Sequence, residues 1–213
     1  GSLANAFDEV CKYYSAEGQA APFERQALIK LRHIAGDAAL GKKVETHRDS
    51  FVSSGAPWDL TVALDLRRQQ VKQLVEPGQI NLKHSHGGIV TLEYAIQYLQ
   101  VMHGHRHPSL RTPNTLRALA ALIDVGLIPR ATGENLRKSY LFIRMLIDGL
   151  RMVRGNTKDL VIPPPDSDEF IFLARRVGYQ TEDWQAGARH LQTDIEEHMK
   201  QNRQFFEKMF GKV

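Results

Sequence analysis

The 213-residue sequence contains one cysteine, Cys11, so no internal disulfide can form and a reducing, cytoplasmic setting is expected. Cys11 lies beside Val10 and Tyr14 on an amphipathic stretch without a basic neighbour, which predicts a buried structural thiol. No apolar run reaches the roughly 18 residues that a membrane span requires, and no signal peptide precedes the first helix. No long run of like charge occurs, which argues against a nucleic-acid-binding arm. Phosphate-binding and dinucleotide-binding glycine loops are both absent. No Asp-x-Asp metal pair is expected, a severe lack for an autonomous enzyme of phosphoryl or nucleotidyl transfer.

What is present is ordinary for a soluble globular chain. Hydrophobic residues make up 42% and charged residues 24%, and the formal net charge is +4. The chain is long enough to bury a real core as one large domain or two small ones. No segment alternates with period two. Helical periodicity predicts helices over 2–17, 22–35, 37–53, 58–75, 88–103, 114–125, 132–153, 167–177 and 181–209. The expected buried stripes are Phe23, Ala27, Leu31 and Ile34, with Glu24, Arg25, Gln26, Lys30 and Arg32 on the solvated side; Leu60, Leu64, Val71, Leu74 and Val75; and Leu116, Leu119, Ala120 and Ile123. Leu146 and Leu150, Phe170 and Leu173, and Trp184, Leu191 and Ile195 are expected inward on the last three helices, and Ser2, Thr112, Thr132 and Thr181 are expected caps. The fold class is therefore all-α, an up-and-down helical bundle with an N-terminal helical arm. The break at Pro77–Gly78 divides the arm, 1–77, from the bundle, 78–213. Gln79–Leu82 reads as extended or irregular, and Leu160–Pro165 as a stiff extended linker.

The densest chemistry lies in Lys83-His84-Ser85-His86-Gly87-Gly88-Ile89-Val90-Thr91-Leu92-Glu93-Tyr94. The glycine pair permits positive φ and close backbone approach. Lys83 supplies a point charge, and the following helix N-terminus favours anions, so a turn that approaches phosphate is one reading. The other is a tight turn packed on a neighbouring helix. Glu93 sits within an apolar run, where a carboxylate is either paired or chemically employed. Ser85 with its flanking histidines lacks a local orienting acid, which argues against acyl transfer. His103, His105 and His107 have no carboxylate nearby, which argues against a metal tract. Glu24, Arg25, Lys30 and Arg32 form a charged face on the second helix. If Glu24 and Arg32 face the same groove as Lys83 and Glu93, the four make a polar seam between arm and bundle.

These blocks resemble the glutamate–ammonia-ligase (glutamine synthetase) adenylyltransferase family. The resemblance rests on Phe23-Glu24-Arg25-Gln26-Ala27-Leu28 with Ala35-Gly36-Asp37, then on Lys83 through Gly87-Gly88-Ile89 to Glu93-Tyr94 and Gln97-Tyr98-Leu99. It continues in His107-Pro108, Asn114-Thr115-Leu116, Gly126-Leu127 and Tyr140-Leu141-Phe142-Ile143-Arg144, and spans roughly residues 7–210. It implies the helical domain that follows a nucleotidyltransferase sheet. That sheet would hold the paired aspartates, ATP and Mg, none of which this chain is expected to bind alone. A start just past the sheet's end would fit an excised fragment, although Gly1-Ser2 could equally be a vector remnant.

The resemblance also implies glutamine synthetase as partner, with no turnover by this chain alone. Lys83, Gly87, Gly88 and Glu93, with Glu24 and Arg32, would face the nucleotide and substrate. One position departs from the pattern: where the family carries an acid two residues before the motif glutamate, this sequence has Thr91. The departure leaves open whether this copy supports the family's chemistry. The competing reading is a non-enzymatic interaction or signal-receiving module. A sheet encoded upstream in the same reading frame would favour the enzyme reading.

Overall fold

The computed structural model describes residues 4–58, 60–156 and 159–211. Nine α-helices account for most of them, and among the described residues no strand forms. The helices are α1 (Phe7–Tyr13), α2 (Glu24–Leu28), α3 (Ala38–Val52), α4 (Leu60–Leu74), α5 (Ile89–His103), α6 (Thr115–Asp124), α7 (Arg130–Arg154), α8 (Asp168–Arg176) and α9 (Trp184–Phe210). A 3-10 turn spans Pro108–Leu110. The expected all-α class holds. The expected Ser2 cap lies outside the described residues.

The chain condenses into two compact units, each built from two separate segments. The first takes the residues up to Ala63 with Ile96–Pro129, and the second takes Leu64–Ala95 with the residues from Arg130 onward. Of the three changes of unit, two fall inside helices, α4 and α5, and the third at the start of α7; none falls at the chain break near Pro77.

The second unit is built on α7, α8 and α9, which pack against one another. Leu146 and Leu150 from α7, Phe170 and Leu173 from α8, and Leu191 and Ile195 from α9 fill its core. These are the stripes that periodicity predicted, and burying each such side chain contributes about 1.5–3 kcal/mol. Leu82, Ile89 and Val90 bring the His-rich turn into the same core. The two stretches read as extended meet here. Asn81 and Val161 form an antiparallel bridge, flanked by Leu82 N–H to Leu160 O at 2.9 Å and Ile162 N–H to Ile80 O at 2.7 Å.

The first unit has its own core of Ile29, Val52, Trp58, Ala63 and Val101, with Trp58 stacked on Tyr98 at 5.6 Å. Here the pattern misleads. The expected helix 22–35 shrinks to five residues, because side chains of α3 take up the backbone that would continue it. Arg48 donates to Leu31 O, and Glu45 accepts from His33 N–H at 2.9 Å. The expected buried stripe is outside: Phe23 is 38% and Ile34 83% exposed. Arg25 and Gln26, read as part of a solvated face, are buried instead. Arg25 donates to Val52 O and Ala56 O, and Gln26 Nε2 to Gln97 Oε1. Both buried side chains therefore find hydrogen-bond partners.

Smaller shifts follow the same logic of local hydrogen bonding. The first helix shortens to seven residues, and Cys11 is half-buried. Asn114, not Thr112, caps α6 through Arg117 N–H. Its buried face is Ala118, Leu119 and Leu122 rather than Leu116, Ala120 and Ile123. The helix expected to begin after a Thr132 cap begins at Arg130. Asp183, not Thr181, caps α9, because a carboxylate is the stronger acceptor for free N–H groups while the Thr181 hydroxyl ties off Asp183 O. Trp184, expected inward, is exposed under Arg175, which lies 5.4 Å from its ring.

Candidate functional site

The His-rich turn is a closed hydrogen-bonded loop in the second unit. Asn81 opens it: its side-chain oxygen accepts Lys83 N–H and His84 N–H, each at 3.0 Å, as a short polar side chain does in a turn. Ser85 Oγ accepts Asn81 N–H at 2.8 Å. Gly88 N–H reaches Ser85 O, Ile89 N–H reaches Leu82 O, and Val90 N–H reaches Lys83 O. Gly87 N–H goes to Thr91 Oγ1 at 3.1 Å. The backbone donors expected to greet an anion at the start of α5 are thus engaged within the loop.

The glycines serve packing. Gly87 has φ +89, and a Cβ there would lie 2.1 Å from Met199 O on α9. Asn202 Nδ2 donates to Gly87 O at 3.0 Å, fastening the turn to that helix. At Gly88 a Cβ would lie 2.8 Å from Leu82 O. The close approach that the pair permits is therefore to α9 and to the loop itself.

The centre of the arrangement is Arg67, which sequence reasoning missed. Its side chain is only 2% exposed. Nη2 donates to His84 O at 2.8 Å, to Thr91 Oγ1 at 3.0 Å and, more weakly, to Ser85 O at 3.4 Å. Nη1 reaches Gln70 Oε1 at 3.2 Å, and the guanidinium lies 6.0 Å from the Tyr94 ring centroid. Among the described residues no carboxylate forms an ion pair with it. Burial brings its pKa down to about 10, so it remains a cation at neutral pH. Thr91, the departure from the family pattern, supplies a neutral oxygen to this cation. The signal was available: Arg67 falls three residues after Leu64 and four before Val71, on the apolar register of α4. That helix's expected face is otherwise poorly buried, with Leu74 49% exposed.

The remaining expected site residues divide between the units. Lys83 is exposed on the turn, and Glu93, half-buried on α5, accepts from Tyr140 Oη at 3.3 Å. Glu24 and Arg32 belong to the first unit. Glu24 Oε1 accepts from Ala21 N–H at 2.9 Å and from the Tyr13 hydroxyl at 3.0 Å, and that bond is the main cause that raises the tyrosine's pKa. Arg32 is exposed. The described residues contain no group of three side chains able to hold a metal ion, so they do not fit a magnesium pair. The chain's one Asp-x-Asp spacing, Asp166 and Asp168, flanks Ser167, whose side chain caps α8.

The loop histidines are electrically suppressed. Burial, then Lys83 and Arg67, bring His84 down to about 4, and its Nδ1 is buried without a partner among the described residues. His86 is lowered for the same reasons, with Arg67 and Arg203 as its cationic neighbours. At neutral pH both are uncharged and cannot neutralise a phosphate. Because His84 binds its proton more weakly in the fold than in the unfolded chain, stability is full above the ordinary histidine pKa of about 6.5. It falls as pH drops toward the folded value of about 4. We expect the melting temperature to be lower at pH 5 than at pH 7.5, with His84→Gln narrowing the difference. An unchanged difference in that variant would remove His84 from the account.

Among the described residues the chain thus has helices, no strand, and a self-satisfied loop on a buried arginine. The family model described as GlnD PII-uridylyltransferase matches residues 62–210, and the chain belongs to that family. Among curated proteins it is 35% identical over 179 residues to a bifunctional glutamine synthetase adenylyltransferase/adenylyl-removing enzyme of Mycobacterium tuberculosis, covering 82% of this chain and 18% of that protein. The protein of the same description from Corynebacterium glutamicum is 30% identical over 206 residues, covering 92% of this chain and 19% of its own length. The resemblance read from the sequence is thereby shown. The chain spans under a fifth of the length of these relatives.

Proposed function

We propose that the chain is a helical domain of a glutamine synthetase adenylyltransferase-like protein and assists AMP transfer to or from glutamine synthetase. The observation that best supports this reading is the run of similarity to such enzymes over most of a chain that has no strand among its described residues. The nucleotidyltransferase sheet, ATP and Mg belong, on this reading, to the rest of the longer protein. The loop 81–91 and the start of α5 form the working face in the second unit. Lys83 screens phosphate charge on this face. Glu93, set by the Tyr140 hydroxyl, orients a basic partner. Gly87 and Gly88 hold the loop against α9.

The test is incubation of the purified chain with ATP, Mg²⁺ and glutamine synthetase. No incorporation of AMP is expected. Incorporation above the level of a no-chain control would contradict the reading, because it would place the transfer chemistry in these helices.

A further inference from the structure

The second unit contains a cleft of about 740 Å³ that the function above does not use. It opens between the last turns of α4, the turn 77–80, the Ser85–His86 edge of the loop and the middle of α9. Its volume lies in the range of small-molecule sites, about 300–1,000 Å³. The floor is apolar, made of Val71, Val75, Ile80 and Met199. The rim is cationic on two helices, through Lys72 on α4 and Lys200 with Arg203 on α9, and His86 lines it from the loop. Among the described residues, Lys72, Lys200 and Arg203 make no ion pair.

Charge is graded along the cleft. On α9 the lining runs from Glu196 through Met199 to Lys200 and Arg203, negative at one end and positive at the other. Glu196 already accepts from Gln192 Nε2 at 3.0 Å, and Glu76 lines the cleft just beyond the end of α4. An anion is repelled from the glutamates and drawn toward Lys200 and Arg203. His86, held neutral by burial and by Arg67 and Arg203, offers a hydrogen bond there without charge. Ser85 adds a second donor. Its Oγ accepts Asn81 N–H, and no described acceptor takes its hydroxyl proton. A ligand that fits this lining carries an anionic group at one end and an apolar body over the floor.

We propose that this cleft binds a phosphorylated small molecule with an aromatic or apolar body, of the size of a nucleoside diphosphate. The phosphates meet Lys200, Arg203, Lys72 and the Ser85 hydroxyl, and the body lies on Val75, Ile80 and Met199. The site uses neither Lys83 nor Glu93, so it stands or falls independently of the adenylyltransferase reading.

The test is an amide NMR titration of the chain with ADP, adenosine and inorganic pyrophosphate in parallel. ADP is expected to bind saturably and to shift resonances of residues 71–80 and 196–203, more tightly than either fragment alone. The double variant Lys200→Gln, Arg203→Gln is expected to weaken ADP by about tenfold or more, a loss of about 1.4 kcal/mol. Both positions are exposed on α9, and Lys72→Gln on α4 repeats the test from a different helix. Absence of ADP shifts at millimolar concentration would overturn the proposal. So would ADP binding untouched by both variants, or pyrophosphate binding as tightly as ADP.

Discussion

Replacing Arg67 with methionine is expected to destabilise the protein by about 2–3 kcal/mol, a fall in melting temperature of roughly 8 °C for a chain of this size. Methionine keeps much of the apolar stem but removes the only side chain among the described residues that donates to His84 O. A buried carbonyl left without a donor costs about 1–3 kcal/mol. Ser85 O suffers less, since Gly88 N–H and the Thr91 hydroxyl also reach it. Relief from burying a charge offsets part of the loss. Thr91→Asp sharpens the test, because it sets a carboxylate where Arg67 now meets a hydroxyl at 3.0 Å. That variant should be neutral or stabilising in the wild-type chain and strongly destabilising beside Arg67→Met. A double-mutant cycle by thermal melts should give a coupling of about 1.5–3 kcal/mol. Additive effects would show that Arg67 and position 91 do not act on one another.

Gly87→Ala should cost more, about 3–4 kcal/mol and above 8 °C in melting temperature. Two effects combine. Alanine at φ +89 is strained, and its Cβ would lie 2.1 Å from the Met199 carbonyl, a backbone atom that moves only if α9 moves. Gly78→Ala isolates the first effect, since Gly78 has φ +79 and nothing within 4 Å of the place a Cβ would take. It should cost only about 1–2 kcal/mol. Calorimetry on the pair checks both values. Equal losses in the two variants would mean that the approach of the loop to α9 contributes nothing.

These two residues also mark what could be read from the chain and what could not. The glycine pair was legible as a place of close approach, but its neighbour, Met199, lies over 100 positions away and no local pattern names it. Arg67 lay in plain sight on an apolar register, yet a single arginine among Leu64, Leu66 and Arg68 reads as a helix-surface charge unless position is weighed over residue type. The long helices α7 and α9 were legible because their stripes repeat over many turns. The short α2 was not. Its apparent stripe of Phe23, Ala27, Leu31 and Ile34 loses to tertiary hydrogen bonds from Glu45 and Arg48. The turn's histidines looked like chemistry in one dimension. In the fold, His84 is driven neutral by its burial and by Lys83 and Arg67 beside it.

The family rests on similarity along the chain, whereas the proposed working face rests on the loop that Arg67 holds and on Lys83 and Glu93 beside it. The most direct measurement is therefore a binding titration of glutamine synthetase against the wild-type chain, Lys83→Glu and Glu93→Gln by interferometry, with helix content of each variant checked by circular dichroism. Saturable binding by the wild type, weakened about tenfold or more by Lys83→Glu and less by Glu93→Gln, is the result predicted. No binding by a folded wild-type chain, or equal binding by all three, would contradict the assignment of this loop as the face that meets glutamine synthetase.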